Sequence, residues 1–278
     1  MCHKIKSVGI IGCGWLGSVL AKNLIAQHVN VIATTTTFNK IKSLANLGIK
    51  AELLVLPENE QALENHIIFQ QQQLVIAITP QLKYGKKDYA KKIENIIKVA
   101  EKTTVEKVIL ISTTGVYRGL TGKITEETKL MLKNTNVAAL AAGEQVVLAS
   151  SLNSTIIRFA GLVGEDRHPG RFLAGKKQLS NANEQVNLIH QQDAINMLIA
   201  LLENDDVTGI FNGLSDTQAT RKSFYQQAAK KLQLTPPEFT DNDKVSPSAY
   251  KYICAKKIQD KLSIKLVYPD LMLWLNTT

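Results

Sequence analysis

A glycine turn near the start of the chain constrains its fold more than any other feature. Residues 12–17 read Gly-Cys-Gly-Trp-Leu-Gly and fit the pattern G-x-G-x-x-G, after a short apolar run and before an amphipathic stretch. Between a strand and a helix, this pattern is typical of dinucleotide binding. Gly12 allows the tight turn, Gly14 lets the backbone approach a pyrophosphate, and Gly17 permits close packing of helix on strand. A purely structural glycine turn is the alternative interpretation.

The rest of the first half alternates strand-like and helix-like segments. Apolar runs such as residues 74–79 and 107–112 are nearly continuous, which indicates strands that are covered on both faces. Strands separated by helices are joined by right-handed parallel crossovers. We therefore predict an α/β fold with a doubly wound parallel sheet of the Rossmann type. We expect the Rossmann domain at residues 1–165 and a small C-terminal substrate lobe at 166–278, with some later segments returning to the sheet.

The second predicted strand ends without the acidic residue that usually holds the ribose hydroxyls of NAD. Residues 34–37 are four consecutive threonines, and no carboxylate lies between Gly17 and Glu52. A threonine hydroxyl can bind a ribose hydroxyl or a 2′-phosphate, and Lys40 and Lys42 can assist with a phosphate. The sequence thus predicts NADP or NAD as the cofactor, with NADP favoured. The alternative is that the threonines only reflect strand propensity.

Polar residues follow the apolar runs at the predicted carboxyl edge of the sheet, where such sheets bind ligands. Ser112 and Thr113 end one run, and Thr79 ends another. A solvated Ser/Thr turn is the alternative for these positions. The residues that we expect to bind the cofactor are Gly12, Gly14, Trp15, Leu16, Gly17, Thr35, Thr36, Ile78, Thr79 and Ser112.

Several stretches of the chain resemble the NAD-dependent epimerase/dehydratase family, the extended short-chain dehydrogenase/reductases, with an atypical, YeeZ-like branch as the best match. The matching stretches are the glycine turn, Ser-Thr-Thr-Gly-Val-Tyr at 112–117, Arg-Phe-Ala-Gly-Leu-Val-Gly at 158–164, Asn-Leu-Ile-His-Gln-Gln-Asp at 187–193, and the tail at 251–269. Together they span nearly the whole chain. The stretches with the arginine and the histidine are more specific than the glycine turn.

The resemblance implies a Rossmann domain with a lobe that closes over a small substrate, which we expect to be anionic and similar to a nucleotide sugar. Thr113 matches the family's catalytic Ser/Thr, and Tyr117 is by hypothesis a substitute acid. Arg171 falls in a loop that contacts anionic substrate groups, for which a planar guanidinium is suited. Arg158 and His190 are the other candidate substrate-binding residues. The alternatives are a core ion pair for Arg158 and a structural hydrogen bond for His190.

The chain departs from the family at the catalytic Tyr-x-x-x-Lys pair, in which the lysine lowers the pKa of the tyrosine. Alignment of the following helix puts Asn136 at the tyrosine position and Leu140 at the lysine position. The chain therefore lacks the usual proton carrier, because an asparagine cannot act as a general base. Two functions stay open. One is an NAD(P)-dependent epimerase/dehydratase or oxidoreductase, and the other is a non-catalytic NAD(P)-binding sensor or scaffold.

Composition argues against several other classes of protein. The 278 residues carry 33 Lys+Arg against 24 Asp+Glu, a formal charge of +9, but only five of the basic residues are arginines. No Arg-rich tract supports a nucleic-acid partner, and no apolar run reaches the ~18–20 residues of a membrane span. Three isolated cysteines lack metal-ligand spacing and indicate a reducing compartment. We expect a cytoplasmic monomer or homodimer that acts on a small molecule, with no metal and no membrane or nucleic-acid partner.

Overall fold

The computed structural model describes residues 5–56, 60–240 and 250–277, so Cys2, one of the three cysteines, lies outside the described residues. In chain order, the strands and helices are β1 (Ser7–Ile11), α1 (Trp15–Ala26), β2 (Asn30–Thr35), α2 (Phe38–Ala45), β3 (Lys50–Leu53), α3 (Glu60–Glu64), β4 (Gln73–Ile76), α4 (Tyr89–Ala100), β5 (Lys107–Thr113), β6 (Gly122–Ile124), α5 (Thr135–Leu148), β7 (Asn153–Phe159), β8 (Gly161–Val163), α6 (Gly170–Leu173), β9 (Leu188–His190), α7 (Gln191–Glu203), β10 (Gly209–Gly213), α8 (Arg221–Lys231), β11 (Lys251–Ile253), α9 (Lys256–Leu262) and α10 (Leu271–Thr277). Short 3-10 turns occupy Ile67–Gln70, Leu82–Tyr84 and Thr114–Tyr117.

A seven-stranded parallel sheet forms the centre of the described chain. Its strand order is β3-β2-β1-β4-β5-β7-β10, and every neighbouring pair is parallel. The chain runs outward from β1 through β2 to β3 and then crosses back to β4 on the other side of β1. The strand order therefore reverses between β1 and β4, and a ligand crevice is expected outside the carboxyl ends of these strands. The predicted doubly wound Rossmann fold is confirmed.

Both faces of the sheet are buried, which explains why the strands read as continuous apolar runs. On one face, Ile10 of β1 and Ile109 of β5 pack in a core with α1 and α7. On the other face, Ile76 of β4 and Leu110 of β5 pack in a core with α3, α4 and α5. Successive residues of a strand thus supply opposite cores, as the pleat requires.

Residues after 160 contribute both to the sheet and to a smaller lobe. β10 extends the sheet beside β7, and α7 packs on α1. The lobe has a core of its own, in which Leu188, Phe224 and Trp274 are buried. Two short parallel pairs, β8 with β9 and β6 with β11, lie outside the main sheet.

One segment that reads as a loop in the sequence is partly regular in the structure. Residues 160–177 are rich in glycine, yet they contain β8 and α6. Pairing with β9 orders β8. α6 packs closely on α8, since a Cβ built on Gly170 would clash with the carbonyl oxygen of Ala228. Within the described ranges, every helix is too short or too polar to cross a membrane.

Candidate functional site

A cleft of about 530 Å³ opens at the carboxyl ends of β1, β2 and β4, where the strand order reverses. It brings together several predicted cofactor-binding residues, namely Gly12, Gly14, Thr35, Thr36, Ile78 and Thr79. Residues outside the predicted site also line the cleft, after β3, before α4 and, for Lys92, within α4. These residues are Leu54, Val55, Leu56, Gln81, Lys86, Asp88 and Lys92. Only the fold brings them to the cleft, because no ligand-binding motif marks these segments in the sequence.

The glycine turn keeps its shape through contacts that a side chain would block. Gly12 has a φ of +93°, in the left-handed region that favours glycine. A Cβ built on Gly12 would lie 3.0 Å from the carbonyl carbon and oxygen of Ala77. The N–H of Gly12 donates to Oγ1 of Thr34 (3.1 Å), and the N–H of Cys13 donates to the Thr34 carbonyl (2.7 Å). The turn is therefore held between the end of β2 and the residue after β4.

The first turn of α1 is suited to face an anion. Gly14 precedes the helix without a side chain to cap it, and the first turn contains no acidic residue. A Cβ built on Gly14 would meet nothing within 4 Å. The first N–H groups of the helix, including those of Trp15 and Leu16, have no acceptor within the helix. Gly17 lets the helix approach β1, since its Cβ would lie 3.3 Å from Cγ2 of Ile10. Free N–H groups and the helix dipole together attract a phosphate.

Hydroxyl groups and one exposed lysine line the cleft at the end of β2. Thr35 is buried, whereas Thr36 and Lys40 are exposed, and all three line the cleft. Burial raises the pKa of the Cys13 thiol to about 11, and the positive charge of Lys40 partly opposes this shift. The positive charge of Lys40 is therefore felt at the glycine turn. The Cys13 thiol stays protonated at neutral pH and is not a nucleophile.

The cleft carries a surplus of positive charge. Asp88 is the one carboxylate among its described lining residues, and it forms an ion pair with Lys92 (Nζ–Oδ2 3.1 Å). Lys40 and Lys86 have no carboxylate partner among the described lining residues. An anionic ligand is therefore favoured in this cleft over a neutral or cationic one.

Three predicted site residues, Ser112, Tyr117 and Arg158, meet in a buried polar network inside the protein. Arg158 donates through Nε to Oε1 of Glu144 (3.0 Å) and through Nη2 to Oε2 (2.5 Å). Its Nη1 donates to the hydroxyl of Tyr117 (2.8 Å), which in turn donates to Oδ1 of Asn212 (2.8 Å). The Ser112 hydroxyl donates to the same Glu144 carboxylate. The network ties β5, α5, β7 and β10 together.

The network corrects the expectations for three predicted site residues. Tyr117 is fully buried, and Arg158 is 3% exposed. Burial raises the pKa of Tyr117, with the Arg158 charge as a smaller opposing influence, and the phenol already has a donor and an acceptor. Neither side chain is accessible to a substrate, so we assign both to the core. For Arg158, the core ion pair is the arrangement observed. Ser112, a predicted cofactor-binding residue, is also buried and faces α5 instead of the cleft.

Sequence reasoning missed Glu144, the central acceptor of this network. Glu144 lies on the buried face of α5 together with Val137, Leu140 and Val147. A single carboxylate on an otherwise apolar helix face requires a buried cationic partner. That pattern was the available signal for an ion pair with Arg158.

Thr113 ends β5 at the same edge of the sheet as the cleft. Its Oγ1 accepts the N–H of Gly115 (3.1 Å) and caps the 3-10 turn that follows. Its hydroxyl hydrogen has no acceptor among the described residues, and the side chain is half-buried. Thr113 can therefore donate a hydrogen bond to a bound molecule. On α5, Asn136 is exposed and Leu140 is buried, and neither can carry a proton.

His190 and Arg171, the remaining candidates, belong to the lobe. His190 caps α7, since its Nδ1 accepts the N–H of Gln192 (3.2 Å), and its ring centroid lies 4.0 Å from that of Tyr268. Burial lowers the pKa of His190 to about 4, so the imidazole is neutral at pH 7. The structural hydrogen bond is thus the observed role for His190. Arg171 is exposed on α6.

Arg167 connects the lobe to the glycine turn and was not among the predicted site residues. Its Cζ lies 5.6 Å from the ring centroid of Trp15 and 5.8 Å from that of Phe172. A guanidinium between two aromatic rings gains cation–π stabilisation from both. A Cβ built on Gly164, three residues earlier, would lie 3.2 Å from Cζ2 of the Trp15 ring. The Trp15 side chain therefore packs on the lobe, while its backbone N–H belongs to the helix terminus.

Comparisons with known proteins agree with this geometry. A family model described as NAD(P)H-binding matches residues 12–205, a range that begins at the first glycine of the turn. The chain belongs to the NAD(P)H-binding family. Its cofactor class is therefore a nicotinamide dinucleotide, and the expected resemblance to the epimerase/dehydratase family is confirmed.

Relatives of this NAD(P)H-binding protein match it over nearly its full length. It is 29% identical to protein YeeZ of Escherichia coli (strain K12) over 270 residues, which are 96% of this chain and 97% of YeeZ. A conserved protein of unknown function from Silicibacter pomeroyi DSS has a TM-score of 0.79 at 21% identity, covering 98% and 97% of the two chains. UDP-glucuronic acid 4-epimerase from Bacillus cereus, solved in complex with NAD, has a TM-score of 0.74 at 14% identity and 94% coverage of each chain.

The buried ion pair of this NAD(P)H-binding protein generates a stability prediction. We expect Arg158→Met to lower the free energy of unfolding by about 3–5 kcal/mol, because Glu144 is left charged and buried without its partner. We expect the double variant Arg158→Met/Glu144→Leu to recover most of this loss, since no buried charge remains. Urea denaturation measures both. A double variant as unstable as Arg158→Met, or less stable, would contradict the prediction.

His190 generates a pH prediction. The folded pKa of about 4 lies below the ordinary value of 6.5, so its contribution to stability is full above pH 6.5 and is lost as the pH falls towards 4. Between pH 7 and pH 4.5, we expect the wild type to lose about 2–3 kcal/mol more unfolding free energy than His190→Asn, which keeps a helix-capping side chain without the titration. Equal losses in urea denaturation of both proteins would contradict this role.

Proposed function

We propose that this chain binds NADP in preference to NAD in the cleft and uses it in a reaction on a small anionic substrate. One observation carries the proposal. The cleft has a glycine turn at a helix N terminus, and at the end of β2, which we call the ribose end, it has threonines and Lys40. An acidic residue at the ribose end would repel a 2′-phosphate. Hydroxyl groups and an ammonium group favour it.

The residues of the cleft fit such a cofactor. Gly14 leaves open space at the start of α1, and the first-turn N–H groups lack acceptors, which suits a pyrophosphate. Thr35, Thr36 and Lys40 would hold the ribose and its 2′-phosphate. Ile78 and Thr79, which follow β4, would contact the part of the cofactor that extends towards β5. Leu54 and Val55 offer apolar surface for an adenine ring at the far side of β2.

The cofactor, when bound, supplies or accepts a hydride. The protein must then orient the substrate and supply a proton. Thr113 is the residue best suited to orient a substrate oxygen, because its own hydroxyl hydrogen is available at the strand end next to β4. Since Tyr117 is engaged in the core, we propose that the proton comes from solvent water in the cleft and not from a side chain. The proposed substrate is small and anionic, in line with the surplus positive charge.

A second candidate function is a non-catalytic dinucleotide sensor. The observation that favours it is α5, where Asn136 and Leu140 stand at the positions of the family's tyrosine and lysine. Such a protein would bind the reduced and oxidised cofactor without turnover. The free thiols of Cys13 and Cys254 support a reducing compartment, the cytosol, for either function.

The affinities for NADPH and NADH test whether the threonines and Lys40 at the end of β2 accept a 2′-phosphate. We expect calorimetric titration to give tighter binding of NADPH than of NADH, and Lys40→Glu to weaken NADPH binding about tenfold or more while changing NADH binding little. The reason is that the carboxylate would repel a 2′-phosphate. Lys42→Glu is the matched control, since Lys42 lies on the same helix but does not line the cleft. Tighter binding of NADH, or an unchanged NADPH affinity in Lys40→Glu, would refute the NADP assignment.

Turnover separates the two candidate functions. We expect the purified protein to oxidise NADPH with at least one member of a panel of 2-oxo acids and phosphorylated sugars, followed by the absorbance of the reduced nicotinamide. Thr113→Val should then lower kcat about tenfold or more through loss of the hydrogen bond to the reacting oxygen, with NADPH affinity unchanged. Tyr117→Phe should keep turnover when the variant is folded. Tight NADPH binding with no oxidation across the panel would favour the sensor.

A further inference from the structure

Four distant segments of the chain bring charged side chains together beyond the end of β5. Arg118 directly follows the 3-10 turn Thr114–Tyr117. Lys251 is the first residue of β11, and Arg221 is the first residue of α8. Glu184 lies in the segment that precedes β9. We refer to Arg118, Arg221, Lys251 and Glu184 as the charge cluster.

Backbone hydrogen bonds hold these segments in place. Lys251 pairs with Gly122 in the parallel ladder of β11 and β6, and the N–H of Gly122 donates to the carbonyl of Tyr250 (3.2 Å). The N–H of Arg221 donates to the carbonyl of Glu184 (2.8 Å). The fold therefore fixes the backbones from which the side chains of the cluster extend.

The cluster has more positive than negative charge. Among the described residues, the charges that act on Lys251 are Glu184, Arg221 and Arg118. Three cations and one carboxylate leave a surplus of two positive charges. The carboxylate is only loosely engaged, since Nη1 of Arg221 lies 3.8 Å from Oε2 of Glu184. Burial lowers the pKa of Lys251, Glu184 opposes this shift, and the charges of Arg221 and Arg118 lower the pKa further.

Like charges that the fold holds together at a half-buried position repel one another unless an anion joins them. The exposed lysines of α4 avoid this cost because carboxylates pair with them, as Glu94 does with Lys91 and Glu60 with Lys98. Lys251 is half-buried in a strand pair. The N terminus of α8, where Thr220 caps the helix and Arg221 begins it, adds partial positive charge.

We propose that Arg118, Arg221 and Lys251 form a subsite for a dianionic phosphate group on the substrate. The surplus of two positive charges matches the charge of a phosphate monoester, and two guanidinium groups offer planar pairs of donors to its oxygens. The proposal deepens the proposed function, because it names the anionic group of the substrate that Thr113 would orient.

The distance along the chain fits this assignment. Arg118 follows Thr113 by one 3-10 turn, and at ~2.0 Å of rise per residue the two backbones are separated by about 10 Å. A small phosphorylated molecule can span that distance between a reacting oxygen near Thr113 and a phosphate in the charge cluster. The subsite is separate from the dinucleotide cleft, whose lining contains none of these cations.

Phosphate binding tests the subsite. Inorganic phosphate is titrated into the full-length protein by calorimetry at constant ionic strength, first alone and then with saturating NADPH to block the dinucleotide cleft. We expect one phosphate to bind when NADPH fills the dinucleotide cleft, and Lys251→Gln and Arg118→Gln each to weaken it about tenfold. Acetate should bind more weakly than phosphate because it carries a single charge.

Two controls make the result decisive. Lys123→Gln removes an exposed lysine from β6, the strand that pairs with β11, and should leave phosphate binding unchanged. Lys251→Gln should keep the NADPH affinity of the wild type and, without phosphate, a thermal midpoint at least as high, because it removes one of the crowded cations. Arg118 is exposed, so Arg118→Gln keeps the test valid when Lys251→Gln is unstable.

The outcomes separate this proposal from the proposed function. Loss of phosphate binding in Lys251→Gln supports the subsite whether or not NADPH binds. Phosphate binding that is unchanged in Lys251→Gln and in Arg118→Gln overturns the proposal. Binding that only Lys40→Glu removes also overturns it, because that phosphate would lie in the dinucleotide cleft. Acetate binding as tight as phosphate overturns the assignment of a dianion. No phosphate binding by the wild type at millimolar concentration overturns the subsite itself.

Discussion

The close approach of the glycine turn to the ends of β2 and β4 is the constraint on which the rest of the site depends. Gly12 adopts a left-handed conformation within 3.0 Å of the Ala77 backbone, as measured from a built Cβ, and its N–H binds Thr34. A residue with a side chain would push β1 away from β4 at the point where the strand order reverses. With glycine there, α1 begins directly above the crevice and directs unpaired N–H groups into it.

Two polar residues that we expected to bind or protonate a substrate, Tyr117 and Arg158, form hydrogen bonds in the protein interior instead. The Arg158–Glu144 pair and the Tyr117 hydroxyl join two strands of the sheet, a helix and the 3-10 turn after β5. A buried ion pair costs desolvation of both partners, and here the bidentate contact with Glu144 and the bond from Arg158 to the Tyr117 hydroxyl oppose that cost. Tyr117 is held between Arg158 and Asn212, whereas the hydroxyl hydrogen of Thr113 has no acceptor among the described residues.

Positive charge is concentrated at two places that differ in origin. At the cleft, Lys40 acts on the glycine turn from the neighbouring helix α2, close in sequence to the threonines of β2. At the charge cluster, Arg118, Arg221 and Lys251 come from segments more than a hundred residues apart at the extremes. The proposed NADP cofactor and the proposed phosphorylated substrate would each place an anionic group at one of these concentrations.

The sequence by itself determined the fold class, the place of the glycine turn between a strand and a helix, and the lack of an acidic ribose ligand. These features follow from local rules, since a glycine spacing, a continuous apolar run and a missing carboxylate can be seen without contacts. The tertiary structure alone decided that Tyr117 and Arg158 are interior residues and that Glu144 accepts the hydrogen bonds of Arg158. It also decided that His190 is a neutral helix cap and which distant cations meet around Lys251. Burial and pairing are properties of residues far apart in the chain, and a strand-end position does not reveal whether a side chain turns towards the cleft or towards the core.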